Sequence, residues 1–206
     1  MFARSTTIMG NPEALDSGIA YVRDDVMPAL LMMDGCIGLS MLADRESGQC
    51  IVTSAWDSGE SMWASDLNLR PMRERAGEML GGQPQVEEWE VAVMHRDHMT
   101  HEGSCCRVAW MRANETDVAR GIDIYRDSLL PMIERMPGFC SASLMVNRDM
   151  QRACSTTTFD SREAMEESRD QGWAIRDAGV REAGVDVLDV AEYDLCLAHL
   201  RLPELV

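Results

Sequence analysis

The chain has 206 residues, of which 46% are hydrophobic and 26% are charged, and its formal net charge at pH 7 is −16. This length suits one large domain or two small ones, and the hydrophobic fraction is sufficient for a buried core. An acidic chain without basic runs argues against nucleic acid and anionic membrane surfaces as partners, because both are bound through clustered Lys and Arg.

Targeting signals and cysteine usage predict a cytoplasmic protein. Residues 1–10 have neither a basic segment nor a long apolar one, so no secretory signal is expected there. No run approaches the 18 apolar residues of a membrane span. The seven cysteines form no CxxC pair and mostly fall in apolar, strand-like runs, which favours buried thiols in a reducing compartment.

The second half of the sequence repeats the first at a distance of 103 positions, so that residue 4 corresponds to residue 107. The matched pairs include Arg4 and Arg107, Asn11 and Asn114, Gly18 and Gly121, Pro28 and Pro131, Gly35 and Gly138, and Gly81 and Gly184. A register held over most of the chain indicates an internal duplication. We predict one repeat over residues 1–96, a linker over 97–104 and a second repeat over 105–206.

Each repeat is predicted to contain its elements in the order β-α-β-β-α-β. The predicted elements of the first are a strand at 2–9, a helix at 12–33, a hairpin of strands at 37–43 and 49–56, a helix ending near 79 and a strand at 85–93. Those of the second are a strand at 105–112, a helix at 115–136, strands at 141–146 and 152–159, a helix ending near 178 and a strand at 187–197.

The helix boundaries rest on capping residues and prolines. Asn11 and Asn114 are predicted N-caps of the first helices, and an Asp-Ser pair is predicted to cap each second helix (Asp57-Ser58 and Asp160-Ser161). Pro28 and Pro131 fall inside the helical patterns, where a missing N–H donor and a clash with the preceding turn predict a kink or break.

This element order is that of the ferredoxin-like split, in which both helices cover one face of a four-stranded antiparallel sheet. The other face must be covered, and a second copy in the same chain can cover it. We therefore predict that the two sheets pack face to face as an intramolecular α+β barrel with a cavity between the sheets. The chain would be a monomer with an internal pseudo-dimer, or a homodimer.

Two short motifs carry a family resemblance. A glycine precedes the second strand of each repeat (Met33-Asp34-Gly35-Cys36 and Met136-Pro137-Gly138-Phe139), and an aromatic-Asp-Ser ending leads into each second helix (Trp56-Asp57-Ser58 and Phe159-Asp160-Ser161). With the proline-broken first helix, these resemble the dimeric α+β barrel superfamily, in particular antibiotic-biosynthesis-monooxygenase-type domains. The resemblance implies cofactor-independent oxygenases, haem-degrading enzymes, isomerases or proteins without known activity, since a fold does not define a function.

The haem-degrading branch of that superfamily implies an asparagine in strand one, a tryptophan in helix two and an iron-ligating histidine further along that helix. The corresponding residues here are Ala3 or Cys106, Ser65 or Ser168, and Arg75 or Ala178. Trp63 lies two positions early, which rotates it by about 200° on a helix. Haem degradation by that mechanism is therefore not expected.

Arg4 and Arg107 hold equivalent places in the first strands and have two interpretations. If they face a cavity, their guanidinium groups can bind an acidic or enolic oxygen. Alternatively, each pairs with an acid on a neighbouring strand, such as Glu88 or Glu192, and this second interpretation is favoured.

Each large aromatic residue can be compared with the residue at the equivalent position of the other repeat. Trp56 and Phe159 correspond to each other and are predicted to pack in the helix-facing core. Trp110 corresponds to Thr7, Trp63 to Glu166 and Trp173 to Arg70. Such differences mark places where one copy can specialise, and aromatic rings in a cavity can hold a flat substrate.

The motif HRDHMTH places His95, His98 and His101 three residues apart, with Cys105 and Cys106 just beyond. A zinc site would require four ligands in tetrahedral geometry. Because the segment is polar and lies largely between the repeats, a solvated linker is the favoured interpretation, and no metal site is predicted.

Two functions remain open from the sequence. The first is a cofactor-independent monooxygenase or related enzyme acting on a planar, enolisable substrate in the inter-sheet cavity; Trp110, Arg107, Arg4 and Trp63 would bind it, and no catalytic base is identified. The second is a non-catalytic protein that binds a small molecule in the same cavity. No cofactor is expected, with haem as a possible bound ligand.

Overall fold

The computed structural model describes residues 1–113, 118–200 and 203–206 of the chain. The elements of the first repeat are β1 (Phe2–Met9), a 3-10 turn (Pro12–Ala14), α1 (Leu15–Tyr21), a π-helical turn (Val22–Val26), α2 (Met27–Leu31), β2 (Cys36–Ala43), β3 (Gln49–Trp56), α3 (Gly59–Ala64), α4 (Asp66–Leu80) and β4 (Gln85–Arg96). This order confirms the predicted β-α-β-β-α-β pattern.

The second repeat follows the same plan. Its elements are β5 (Cys105–Ala113), α5 (Val118–Ile124), a π-helical turn (Tyr125–Leu129), α6 (Leu130–Ile133), β6 (Phe139–Asn147), β7 (Arg152–Phe159), α7 (Arg162–Glu167), α8 (Arg169–Ala183) and β8 (Val185–Leu200). The prediction ended the last helix near residue 178, five residues too early. The helix ends at Gly184, which adopts the left-handed conformation with φ 65°, as Gly81 does after α4 with φ 77°.

The strands form a closed eight-stranded antiparallel barrel in the order β1-β3-β2-β8-β5-β7-β6-β4, which confirms the predicted fold class. Two compact units share these strands. The first unit contains residues Met1–Trp89 and Asp194–Leu202, and the second contains Glu90–Tyr193 and Pro203–Val206. The strands β4 and β8 therefore each begin in one unit and end in the other, so the compact units do not coincide with the sequence repeats.

Antiparallel pairing sets the register inside each unit. In the first unit β3 pairs with β1 and β2, and the last part of β8 pairs with β2, from Gly38 opposite Leu200 to Ala43 opposite Asp194. In the second unit β7 pairs with β5 and β6, and the last part of β4 pairs with β6, from Glu90 opposite Val146 to Arg96 opposite Ser141. Each unit is thus completed by the end of a strand that started in the other repeat.

The first helix of each repeat is not broken at its proline. Instead, one π-helical turn precedes Pro28 and another precedes Pro131. The backbone N–H of Met27 bonds to the carbonyl of Val22, five residues earlier, so the wider turn accommodates the residue that cannot donate. Of the two predicted alternatives, a break does not occur, and the irregularity at each proline is a π-helical turn.

Three of the four predicted caps are present as side-chain hydrogen bonds. The Asn11 side chain accepts from the N–H of Glu13, whereas the equivalent Asn114 lies outside the described residues. At the second helices the cap is the serine of each Asp-Ser pair: Ser58 Oγ accepts from the N–H of Ser61, and Ser161 Oγ accepts from the N–H of Ala164.

Each unit has its own hydrophobic core between its helices and its sheet. Trp56 is fully buried in the first core and Phe159 in the second, which confirms the prediction that these two rings pack against the helices. Among the described residues, no helix has both the length and the apolar character required to cross a membrane.

Replacing Ser58 with Ala is expected to lower the free energy of unfolding by about 0.5–2 kcal/mol, since the first N–H groups of α3 lose their acceptor. Ser58→Asp, which restores an acceptor at the cap, is the matched control and should stay near the wild-type value. Chemical denaturation monitored by circular dichroism measures both; an equal loss in the two variants would contradict a capping role.

Candidate functional site

An arginine of the first strand pairs with a glutamate of the last strand in both repeats. In the first unit, Glu88 Oε1 accepts from Arg4 Nε at 3.1 Å and from Nη2 at 2.7 Å. In the second unit, Glu192 Oε1 accepts from Arg107 Nε at 3.0 Å and from Nη2 at 2.8 Å. The favoured interpretation of both arginines, pairing with an acid on a neighbouring strand, is confirmed, and this pairing is common to the two copies.

The remaining guanidinium nitrogen differs between the units. In the first unit, Arg4 Nη1 donates to Ser65 Oγ at 3.2 Å and lies 3.7 Å from the carboxylate of Asp66. The second repeat has Arg169 in place of Asp66. The buried Nη1 atom of Arg107 has no hydrogen-bond partner among the residues that the structure describes.

The replacement of Asp66 by Arg169 also changes the balance of charge around Arg107. Glu192 Oε2 accepts from Arg169 Nη2 at 3.0 Å, so two guanidinium groups share one carboxylate. The Arg107 side chain is only 10% exposed. The Arg169 side chain is 42% exposed, so water screens part of the excess positive charge, whereas the unpaired Nη1 donor of Arg107 is shielded from solvent.

Arg107 lines a cavity of about 140 Å³ between the helices and the sheet of the second unit. Most of the wall is apolar and comes from both helices and from β5, β6 and β7, including Met111, Ile122, Leu129, Ile133, Met136, Leu144, Phe159, Ile175 and Val180. Strand residues 107, 109, 111 and 113 all contribute, as expected for one face of a strand. The prediction placed the cavity between the sheets; this cavity lies on the helix-covered face, where small side chains leave space.

The equivalent space in the first unit has a volume of only about 50 Å³. Larger side chains occupy it: Leu69 stands where the second repeat has Gly172, Leu80 where it has Ala183, and Val52 where it has Ser155.

The glycines of the first helices show the same difference. A Cβ atom added at Gly18 would lie 2.6 Å from Leu80 Cδ2, whereas one added at the equivalent Gly121 would meet no atom within 4 Å. The open cavity thus results from a few smaller residues in the second copy.

Gly172 also sets the position of the arginine. A Cβ atom at this residue would lie 2.9 Å from Arg107 Nη1. The glycine at position 172, where the first repeat has leucine, therefore lets the Arg107 guanidinium lie against α8 without a shift of its end. The guanidinium carbon also lies 5.6 Å from the centre of the Phe159 ring, so the cation packs over an aromatic face.

The four residues predicted to bind a substrate do not come together. Arg107 lines the second unit's cavity, and Arg4 lines the small cavity of the first unit. Trp110 lies on the opposite face of β5 from Arg107, because the two are three residues apart on a strand. There its ring packs edge-on against Tyr193, with ring centres 6.5 Å apart. Trp110 is therefore not part of the same site as Arg107.

Trp63 is a surface residue of α3, with 64% of its area exposed, and its indole N–H donates to Glu88 Oε2 at 3.0 Å. Trp63 thus donates to one oxygen of the Glu88 carboxylate while Arg4 donates to the other. In the second unit, Arg169 donates in the same way to the second oxygen of Glu192. The difference of Trp63 from Glu166 reflects this surface contact and not a binding pocket.

Two residues that line the cavity, Trp173 and Tyr125, are candidates for ligand binding that were not among the four predicted from the sequence. Trp173, which lines the cavity and is 47% exposed, stands at its rim, and only its difference from Arg70 marked it in the sequence. Tyr125 also lines the wall; its hydroxyl donates to the Ser143 carbonyl at 3.3 Å, and burial raises the pKa of this phenol, which therefore stays protonated.

Most of the linker is exposed, as predicted, but all three histidines of the HRDHMTH motif also contact carboxylates. His95 belongs to β4, stacks on Phe139 and has Glu134 and Glu204 each 3.0 Å from one of its ring nitrogens. Beyond the strand, His98 and His101 both approach Asp160 at the end of β7. The linker is therefore fastened to the second unit.

No family model matches the chain. Two proteins of Mycobacterium tuberculosis H37Rv, "Uncharacterized protein Rv2557" and "Uncharacterized protein Rv2558", match it along its whole length. The first is 55% identical over 206 residues, which cover 92% of that protein, and the second is 52% identical over 207 residues, which cover 88%.

Solved structures share the fold at low sequence identity. An anthrone oxidase-like protein matches with a TM-score of 0.64 and 16% identity over 94% of this chain and 90% of its own. From Listeria monocytogenes, a ferredoxin-fold protein related to antibiotic biosynthesis monooxygenases matches with a TM-score of 0.53 and 10% identity over 95% of both chains. The haem-degrading enzyme LmHde of that species also scores 0.53, at 11% identity over 94% of this chain and 99% of its own.

The fold likeness and the whole-length relatives together place the chain. The β-α-β-β-α-β repeats in a closed barrel agree with the resemblance seen in the sequence motifs. The chain belongs to the family of the two M. tuberculosis proteins, and its fold is the tandemly duplicated α+β barrel of the antibiotic-biosynthesis-monooxygenase type.

Proposed function

We propose that the second unit binds a small apolar molecule carrying one anionic or enolic oxygen, and that the chain acts on it as a cofactor-independent monooxygenase. The observation that supports this most directly is the unpaired Nη1 donor of Arg107 at the wall of a mostly apolar cavity, which Arg152 and Arg176 also line. A buried donor without a partner costs free energy, and a ligand oxygen at this place would remove that cost.

The cavity volume restricts the size of the ligand. An engineered protein cavity of about 150 Å³ binds benzene, so about 140 Å³ suits a compound of one aromatic ring. A hydroquinone or a comparable enolisable ring fits this volume better than a polycyclic anthrone. The exposed Trp173 at the rim can pack against any substituent that extends from the cavity.

The chemistry would depend on the charge of Arg107. The guanidinium favours the ionised phenol or enol, and the apolar wall strengthens this effect by excluding water. The described lining residues include no Asp, Glu or His, so the proton would pass to water as the substrate binds. The ionised substrate would then add dioxygen at its electron-rich carbon to form a peroxide anion, which takes a proton back from water to give the hydroperoxide. Loss of water from this, with cleavage of the O–O bond and of the remaining C–H bond at that carbon, would leave a new carbonyl group, so the substrate supplies the electrons that reduce dioxygen.

The same lack of a base among the described lining residues favours a second candidate, a protein that binds the molecule without converting it. Haem is a possible but larger occupant, and the described lining residues offer neither His nor Cys as an iron ligand. A Soret band that appears on titration with haemin would favour haem binding.

Ala183→Leu, which introduces the residue of the first repeat, should fill the cavity and reduce binding of a one-ring phenol at least about tenfold, since the space is needed for the ring. Quenching of Trp173 fluorescence and calorimetry measure the binding. Trp63→Ala, outside the cavity, is the control and should bind as the wild type does.

Unchanged affinity in Ala183→Leu, with the native circular dichroism spectrum retained, would place the binding site elsewhere. A loss of affinity in Trp63→Ala as large as in Ala183→Leu would also contradict the proposed location.

Arg107→Met should weaken binding of a phenol that ionises by about 10- to 150-fold, the loss expected for a hydrogen bond to a charged group. Binding of its methyl ether, which cannot ionise, should change little. Equal losses for the phenol and the ether would show that the variant disturbs the cavity and that Arg107 does not recognise the anion.

Oxygen consumption separates catalysis from binding. With a panel of hydroquinones and anthrones, the wild-type protein should accelerate oxygen uptake, most for one-ring compounds, and Ala183→Leu should not. If the wild type binds hydroquinones but leaves oxygen uptake unchanged, the monooxygenase proposal fails and the binding proposal stands.

A further inference from the structure

Three potential metal ligands meet at the edge of the second unit, away from the cavity. His98 follows β4, Cys140 is near the start of β6 and Asp160 follows β7. One donor atom from each lies within 4.8 Å of the others. None of the three lines the cavity, so this cluster is independent of the proposed function.

The donor atoms converge on one carboxylate oxygen. From Asp160 Oδ1, the distance is 2.9 Å to His98 Nε2, 3.1 Å to Cys140 Sγ and 3.2 Å to His101 Nε2. Ligands around a tetrahedral zinc ion lie roughly 3.3–3.7 Å apart. The three distances from Asp160 Oδ1 are therefore a few tenths of an ångström short of this spacing, and His101 Nε2 would have to approach the His98 and Cys140 donors for one ion to bind all four.

Both histidines present the same ring nitrogen to this point. His98 Nδ1 lies 2.8 Å from Asp97 Oδ2, and His101 Nδ1 lies 2.8 Å from the carbonyl oxygen of Glu102. Each Nδ1 thus faces an acceptor that can hold the ring proton when an ion takes the lone pair of Nε2. A carboxylate or a backbone carbonyl behind a histidine is the usual orienting group of a metal ligand.

We propose that His98, His101, Cys140 and Asp160 bind one zinc ion, with Asp97 as the residue that orients His98. Two imidazole nitrogens, one thiolate and one carboxylate form a ligand set typical of zinc. The ion would fasten the segment after β4 to the ends of β6 and β7.

The local backbone brings the ligands together. The N–H groups of Asp97 and His98 donate to the carbonyl of Cys140, at 2.9 and 3.4 Å, so the linker begins beside the thiol. Asp160 is fixed in turn by its N–H, which donates to the Gly138 carbonyl at 2.8 Å. These bonds hold three separate segments at one point before any ion binds.

Charge and solvent access also fit a cation. The Cys140 thiol is buried and donates to Asp160 Oδ1. A divalent cation would replace the thiol proton and offset the carboxylate charge. The side chains of His98 and Asp160 are 41% and 36% exposed, so an ion can reach them from solvent.

The first repeat provides an internal comparison. Asp57 is the counterpart of Asp160, but Ile37 stands where the second repeat has Cys140. The site is therefore specific to the second copy, and Asp57→Asn is a matched control for Asp160→Asn.

Titration of tag-free protein with Co²⁺ tests this site, because cobalt replaces zinc and reports its ligands by absorption. We expect one Co²⁺ per chain, with a thiolate-to-cobalt charge-transfer band in the near ultraviolet. Competition with Zn²⁺ should remove this band, and Cys140→Ser should lack it, whereas Cys36→Ser should retain it.

Affinity and stability measurements complete the test. His98→Ala should bind Co²⁺ at least about tenfold more weakly, and Asp97→Asn about 10- to 100-fold more weakly, as is found when an orienting group is lost. Zn²⁺ should raise the melting temperature of the wild type but not that of His98→Ala. His199→Ala and Asp57→Asn should resemble the wild type in both measurements.

The site is overturned if wild type and Cys140→Ser bind Co²⁺ with the same affinity and spectrum. It is equally overturned if folded wild-type protein, verified by circular dichroism, binds no Co²⁺. Since His98 and His101 are partly exposed, His98→Ala and His101→Ala are expected to fold, and unchanged binding in both would contradict the proposal even if Cys140→Ser were unstable.

Discussion

The volume of the side chains between helices and sheet is the constraint on which the candidate site depends. Both repeats place their helices over one sheet face, and a tightly filled layer there is the stable arrangement. Leu69 and Leu80 fill this layer in the first unit, whereas Gly172 and Ala183 leave about 140 Å³ open in the second. An open cavity forfeits packing contacts, so the second unit gives up some stability where the first does not.

The two copies share a framework and differ in what they attach to it. The Arg–Glu pair between the first and last strands occurs in both, at Arg4–Glu88 and Arg107–Glu192, and so belongs to the architecture. The exchange of Asp66 for Arg169 then removes the acidic neighbour of the arginine, and the glycine at 172 lets the guanidinium approach α8. The ion pair that both copies share thereby leaves one donor of Arg107 unpaired at the cavity wall in the second copy.

Both proposed sites lie in the second unit, but they depend on different parts of its structure. The cavity depends on small residues under the helices, whereas the proposed zinc site depends on the segment that joins the repeats. His98, in the segment between the repeats, is held beside Asp160. That segment therefore lies close to Phe159, the residue before Asp160, which lines the cavity. The duplication thus leaves the first unit as a filled, stable half while the second carries the candidate chemistry.

The sequence by itself determined the duplication, the order of the elements, the pairing of Arg4 and Arg107 with glutamates and the core position of Trp56 and Phe159, because these follow from local periodicity and from comparing two copies. The alternation of strand residues also places Trp110 and Arg107 on opposite faces. Only the tertiary structure decided the cavity volume, the passage of β4 and β8 between units and the meeting of His98 with Cys140 and Asp160. These depend on side chains that are distant in the chain, and no local pattern encodes their separation in space.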